Sequence, residues 1–186
     1  MLRTGKVSGF VRTVAVGALL GLGVAADAPT QTVSVGQLSF EAPGSWKSVK
    51  PRSQMIQTQL TIAPAQGDED PAEFTVSAFA GGGGGIDANI KRWQSQFKDA
   101  GGNEPKLDRK TVKGKNVDVV RAETAGHYYP PPFTRLPDKA DYRLLGAIVQ
   151  TDDAGYYLKL IGPEKTISAA RPAFDKMLAT IKAGEK

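Results

Sequence analysis

Between Tyr142 and Gln150 the sequence places apolar side chains on both faces of an extended segment. Leu144 and Ile148 fall on one face, and Leu145, Ala147 and Val149 on the other. Such a strand has to be covered on both sides, which puts it at the centre of a sheet with material packed above and below. After the turn-forming stretch Thr151-Asp-Asp-Ala-Gly155, the segment Tyr156–Ile161 reads as its antiparallel partner.

The rest of the chain supplies further strands and two helices. Val33–Val35 and Leu38–Phe40 alternate around Gly36, Trp46–Val49 follows the Pro43-Gly44 turn, and Met55–Ile62 sets Ile56, Leu60 and Ile62 on one face. Phe74–Phe79 is the next strand, after the acidic turn 67–71. Leu107–Val112 and Asn116–Glu123 flank Lys113-Gly-Lys115 as a second hairpin. Ile86, Ile90, Trp93 and Phe97 are spaced as one helical face, with Asp87 as the expected N-cap and Gly101-Gly102 as the expected stop. Phe174, Met177, Leu178 and Ile181 mark a closing helix, with Pro172 expected in its first turn. Strands in hairpin groups, with one helix in mid-chain and one at the end, define an α+β fold: an antiparallel β-sheet with helices packed on it, an α/β/α sandwich.

Met1–Arg12 carries Arg3, Lys6 and Arg12 and no acidic residue. The apolar run Val14–Val24 and the small-residue junction before Asp27 follow. This is the order of a secretory signal peptide, expected to span residues 1–26 and to be cleaved after Ala26, leaving 27–186 as one globular domain outside the cytoplasm, periplasmic or extracellular. The apolar run is shorter than the roughly 20 residues a transmembrane helix needs, so no stable membrane insertion is expected after cleavage. Without the leader, 21 basic residues face 19 acidic ones. A balance so close to neutral, without a Lys/Arg cluster, gives no reason to expect a nucleic-acid partner. The chain has no cysteine, which excludes disulfides, thiol nucleophiles, Cys-based metal sites and a lipid-accepting cysteine at the junction.

Motifs for catalysis or cofactors are missing. His127 is the one histidine, so multi-His metal sites are excluded, and no Gly-x-Ser-x-Gly elbow accompanies it. The glycine run Gly81–Gly85 leads into Ile86-Asp87 rather than the Gly-Lys-Ser/Thr of a phosphate loop, and reads as a strand-to-helix connection. Asp68, Glu69 and Asp70, like Asp152 and Asp153, lack the spacing of a calcium loop and read as solvated turns. Lys110, Lys113 and Lys115 read as a solvated hairpin end. No catalytic residue, cofactor or metal site is expected.

The stretch that stands out is His127-Tyr128-Tyr129-Pro-Pro-Pro-Phe133, running on through Arg135 to Pro137. Three consecutive prolines hold the backbone extended and cannot occupy a central strand. Aromatics on so stiff a loop lose little entropy when they bind, and they are the side chains that dominate interface energetics. His127, Tyr128, Tyr129, Phe133 and Arg135 are therefore the candidate partner-binding residues. The alternative is that Tyr128, Tyr129 and Phe133 fold back to cap the domain's own core.

Phe40-Glu-Ala-Pro43-Gly-Ser-Trp46 near the expected mature start, the hairpins and mid-chain helix, and the closing Tyr157-Leu-Lys159-Leu-Ile-Gly162-Pro163 strand with a final helix resemble the PsbP-type family. That family includes photosystem II extrinsic subunits and a Ran-binding import factor. The chain also resembles uncharacterised exported bacterial proteins carrying similar Arg92-Trp93 and Lys159…Gly162-Pro163 stretches. The resemblance spans most of residues 33–182 and implies an antiparallel sheet between helices and an accessory, binding role. No photosystem- or Ran-contacting motif is present, and fold alone does not carry function. The resulting expectation is a non-enzymatic binding module with a protein partner in the cell envelope. The alternatives are a small-ligand or metal-ion binder with a pocket between sheet and helix, and a hydrolase with a site built from distant residues.

Overall fold

The computed structural model describes residues 29–184. The expected leader and its cleavage point lie outside the described residues.

Chain order begins with the hairpin β1 (Thr30–Val35) and β2 (Leu38–Pro43), whose alternation turns Leu38, Phe40 and Ala42 inward. A meander follows, of β3 (Lys47–Val49), β4 (Thr58–Ile62) and β5 (Ala72–Ala80), and then α1 (Ile86–Gln94). Next come β6 (Phe97–Lys98), β7 (Asp108–Lys113) and β8 (Asp118–Tyr128). The long hairpin β9 (Lys139–Gln150) and β10 (Ala154–Pro163) leads into α2 (Glu164–Thr180) and the short β11 (Lys182–Ala183).

The main sheet has the order β3-β4-β5-β10-β9-β8-β6, with β7 also paired to β8, and all its pairings are antiparallel. A smaller sheet, β1-β2-β11, joins the two ends of the described chain. As the two-sided pattern of 144–149 requires, β9 is interior. Leu145, Ala147 and Val149 pack with β2 and with Ile167, Phe174, Met177 and Leu178 of α2. Leu144 and Ile148 pack on the opposite face with Ile90 and Trp93 of α1, Phe97 and Tyr128. Burial of each Leu, Ile, Val, Phe or Met side chain among these stabilises the fold by about 1.5–3 kcal/mol. The result is the expected α+β layering, with a helix on each face of the sheet.

Four local expectations differ from the structure. The strand expected from Met55 starts at Thr58, and Met55 is exposed in the preceding turn. Helix α1 is capped at Gly85, whose φ of 83° turns the chain into the helix, so Asp87 sits inside the first turn, paired with Arg109 at 2.6 Å. The helix stops at Gln94. Phe97 reaches the core from a strand, pairing with Tyr128, and Gly101-Gly102 belong to a turn gathered by the Asp99 carboxylate. Finally, α2 starts at Glu164, which puts Pro172 in its interior. Pro172 and Ser168, whose carbonyl it deprives of an N–H, are both on the exposed side, where water can serve instead.

Two polar groups fix α2 against the sheet. The Asp68 carboxylate accepts from the Thr166 backbone N–H and hydroxyl, both at 2.7 Å, and so satisfies the first turn of the helix from a distance. Beneath the helix, the buried Glu123 binds Arg121 at 3.0 Å and also Arg143 and Arg171. Arg121, only 2% exposed, bonds Asp175 of α2 at 2.7 Å.

Candidate functional site

Residues 129–138 connect β8 to β9, and the strand ends set their geometry. The register slips by one residue between the Gly126/Tyr142 and Tyr128/Lys139 pairs, and Asp141 takes a left-handed φ of 53° in the extra residue. Tyr128 turns inward, 5.1 Å from the Phe97 ring and stacked 6.0 Å from the Tyr142 ring, and its burial pushes the phenol up to about 12. Tyr129 turns outward. Its backbone N–H donates to the Gln96 carbonyl at 2.7 Å, and its ring stacks on His127 at 4.7 Å. His127 Nε2 bonds the Asp138 carboxylate across the mouth of the loop, which holds that carboxyl below its ordinary range.

Past the prolines, Pro132–Thr134 forms one 3-10 turn. The Thr134 hydroxyl donates to the Pro131 carbonyl at 2.6 Å, and Arg135 closes the turn in a left-handed conformation. Three apolar side chains face outward: Phe133 is 77% exposed, Leu136 53% and Tyr129 47%. Arg135 is exposed and has no carboxylate partner among the described residues. The five candidates therefore divide, with Tyr128 in the core and His127, Tyr129, Phe133 and Arg135 on the loop surface.

Under the loop is a cavity of about 150 Å³, lined by Tyr128, Pro130, Leu136, Pro137, Tyr142 and Ile161 on its apolar side. Pro71, Arg52, Glu73 and Lys139 line the rest. Arg52 is paired with Glu73, and Lys139 with Asp70 at 2.7 Å. The Tyr142 hydroxyl also donates to Asp70, at 2.9 Å. These two donors hold the Asp70 carboxyl below its ordinary range.

The glycine run borders a second, open cavity of about 460 Å³, with Asp87, Arg109 and Gln150 on its walls. All five glycines have positive φ, from 58° to 91°. Three of the loop's carbonyls have donors: Asn89 Nδ2 reaches Gly83 O at 3.0 Å and Gly85 O at 2.6 Å, and the Tyr157 hydroxyl bonds Gly82 O. Asp68 and Asp70 serve α2 and Lys139 respectively. Among the described residues no group of three His, Cys, Asp or Glu side chains is placed to hold a metal ion. No Ser or Thr hydroxyl among them hydrogen-bonds His127.

Sequence reasoning missed one residue as a functional candidate. Lys159 faces the α1 side of β10, between Tyr157 and Ile161, and Nζ has neither a hydrogen-bond acceptor nor a counter-ion among the described residues. The signal was present, because a lysine interrupts a face that is otherwise apolar.

No family model matches the chain, and no curated protein matches it. Solved structures do resemble it. The cyanobacterial PsbP protein, CyanoP, of Synechocystis superposes with a TM-score of 0.53 at 13% identity, covering 90% of this chain and 99% of its own. A Pseudomonas aeruginosa protein of unknown function gives 0.51 at 14%, covering 84% and 99%. LpqN, involved in cell envelope biogenesis of Mycobacterium tuberculosis, gives 0.51 at 9%, covering 84% and 91%. At such identities the likeness concerns the fold, and the fold is PsbP-like. Among the described residues no helix is long and apolar enough to cross a membrane.

Proposed function

We propose that this PsbP-like domain is a non-enzymatic accessory module of the cell envelope that docks a protein partner through the 127–137 loop. The observation carrying the reading is the 77% exposure of Phe133, on a loop whose two stems are fixed. Tyr128 is locked into the core at one stem, and the His127–Asp138 bond ties it to the other. A ring held outward on a proline-stiffened turn loses little freedom on binding, and its burial against a partner is worth roughly 1.5–3 kcal/mol. Tyr129 and Leu136 widen the apolar patch, and Arg135 adds an unpaired charge at its rim. Aromatic and Arg side chains in this arrangement are the usual anchors of an interface. The envelope setting is supported by the leader-like N-terminus and by the likeness to LpqN. Export and the partner itself are part of the proposal.

The test is affinity capture from native envelope extract with the tagged protein recovered from expression of the full chain. Beside it runs a variant carrying Tyr129→Ala, Phe133→Ala and Leu136→Ala. A specific partner held by the parent and lost by a variant with unchanged near-UV circular dichroism supports the reading. Equal recovery by both, or no specific recovery by either, removes it.

A further inference from the structure

The strand register sets Lys159 of β10 beside Thr75 of β5 and Gly146 of β9, with Gln59 of β4 next beyond Thr75. Gln59 and Thr75 are buried, and the Thr75 hydroxyl has no hydrogen-bond partner among the described residues. On the helix side, the Trp93 ring fills the space above Gly146, which puts an indole beside the lysine. Ile161, two residues along the same strand face and about 7 Å away, lines the 150 Å³ cavity.

The charges around this face do not balance. Arg52 is neutralised by Glu73 and Lys139 by Asp70. Arg92 is bonded to the uncharged amide of Asn89. Lys159 has no partner, and burial, with the fields of Arg52 and Arg92 added, pulls its ammonium down to about 8. A half-buried cation without a counter-ion is costly to maintain, and an anion brought to it offsets that cost.

We propose that this face of the sheet binds a small organic carboxylate, its carboxylate on Lys159 Nζ beside the Thr75 hydroxyl and its apolar body in the adjoining cavity. The chemistry of the walls selects the class. One ammonium and one hydroxyl match a monoanion, and the Tyr128, Tyr142 and Ile161 wall rewards an apolar body. Inorganic phosphate would leave that wall empty. The volume lies below the roughly 300–1,000 Å³ of pockets for drug-sized ligands, so the body is no larger than a single ring. The site does not depend on the loop having a protein partner, although Tyr128 and Leu136 belong to both.

Calorimetric titration of the purified protein with benzoate, acetate and inorganic phosphate tests this. Benzoate is expected to bind most tightly. Lys159→Met, which keeps the stem and removes the charge, is expected to weaken benzoate at least about tenfold. On the unsubstituted protein, a lysine side-chain NMR titration is expected to show benzoate raising the pKa of one depressed lysine, so the answer does not hang on a variant's folding. Phosphate binding more tightly than benzoate, no binding of any of the three, or full benzoate affinity in Lys159→Met would each overturn the proposal.

Discussion

The ring of Trp93 occupies the space where any residue but glycine at position 146 would carry its Cβ. This contact seats α1 on the centre of the sheet, because Gly146 lies in the interior strand β9 and Trp93 is the largest side chain α1 buries. Gly146→Ala is expected to displace the indole and to destabilise the protein by about 1–3 kcal/mol, the range of overpacked cores. A urea melt monitored by tryptophan fluorescence measures it, and a midpoint like the parent's would mean the helix gives way more easily than the geometry implies.

The loop aromatics should separate cleanly by stability. Tyr128→Ala removes a buried ring from between Phe97 and Tyr142 and is expected to cost about 3–5 kcal/mol. Phe133 is 77% exposed, and Phe133→Ala is expected to change stability by less than about 0.5 kcal/mol. Thermal denaturation of the two variants reads the difference directly. A large loss in Phe133→Ala would show the ring serving the fold rather than a surface.

Glu123 is one buried carboxylate shared by Arg121, Arg143 and Arg171. Glu123→Gln keeps the shape but removes the carboxylate the three arginines share, leaving Arg121 to Asp175 and Arg143 to Glu164, and is expected to cost about 1–3 kcal/mol. Changing Lys113, in an exposed pair with Asp118, should cost less than about 1 kcal/mol. Chemical denaturation of Glu123→Gln and Lys113→Ala side by side tests the contrast between buried and solvated pairs.

Lys159 gives the stability a pH dependence of defined sign. Its pKa is about 8 in the folded protein against an ordinary 10.5, with Arg52, Arg92 and Glu73 the charged groups facing it. Below pH 8 the folded and unfolded chains both hold the proton, and the cost of burying the charge is fully present. Between about 8 and 10.5 the folded chain releases a proton that the unfolded chain keeps, so this residue makes stability rise with pH. Lys159→Met is expected to flatten that rise and to stabilise the protein at pH 7 by on the order of 2 kcal/mol. Denaturant melts from pH 7 to 10.5 check both.

The layering was legible in the sequence because it rests on alternation. Leu144 and Ile148 against Leu145, Ala147 and Val149 predict an interior strand, and β9 is interior. Boundaries set by long-range contacts were less legible. Phe97 fits the spacing of Ile90 and Trp93 equally well as the next helical position or, as found, as a strand residue facing the same core. Pro172 reads as a first-turn residue because nothing local reveals that its side of α2 faces water. At the candidate site the aromatic-proline stretch could be picked out, but which rings turn inward depended on the pairing of Tyr128 with Phe97. Lys159 visibly interrupts the apolar face of Tyr157 and Ile161, but only the packing of α1 over that face shows that it is left without a partner.

The glycine run from Gly81 to Gly85 has a consequence for handedness. Five successive positive φ angles describe backbone that is the mirror image of what L-residues prefer. D-alanine, introduced by chemical ligation at Gly84 or Gly85, would therefore sit without backbone strain where L-alanine would be strained. The passage from β5 into α1 is a short stretch of opposite hand, where an L side chain carries backbone strain that glycine, having no hand, avoids.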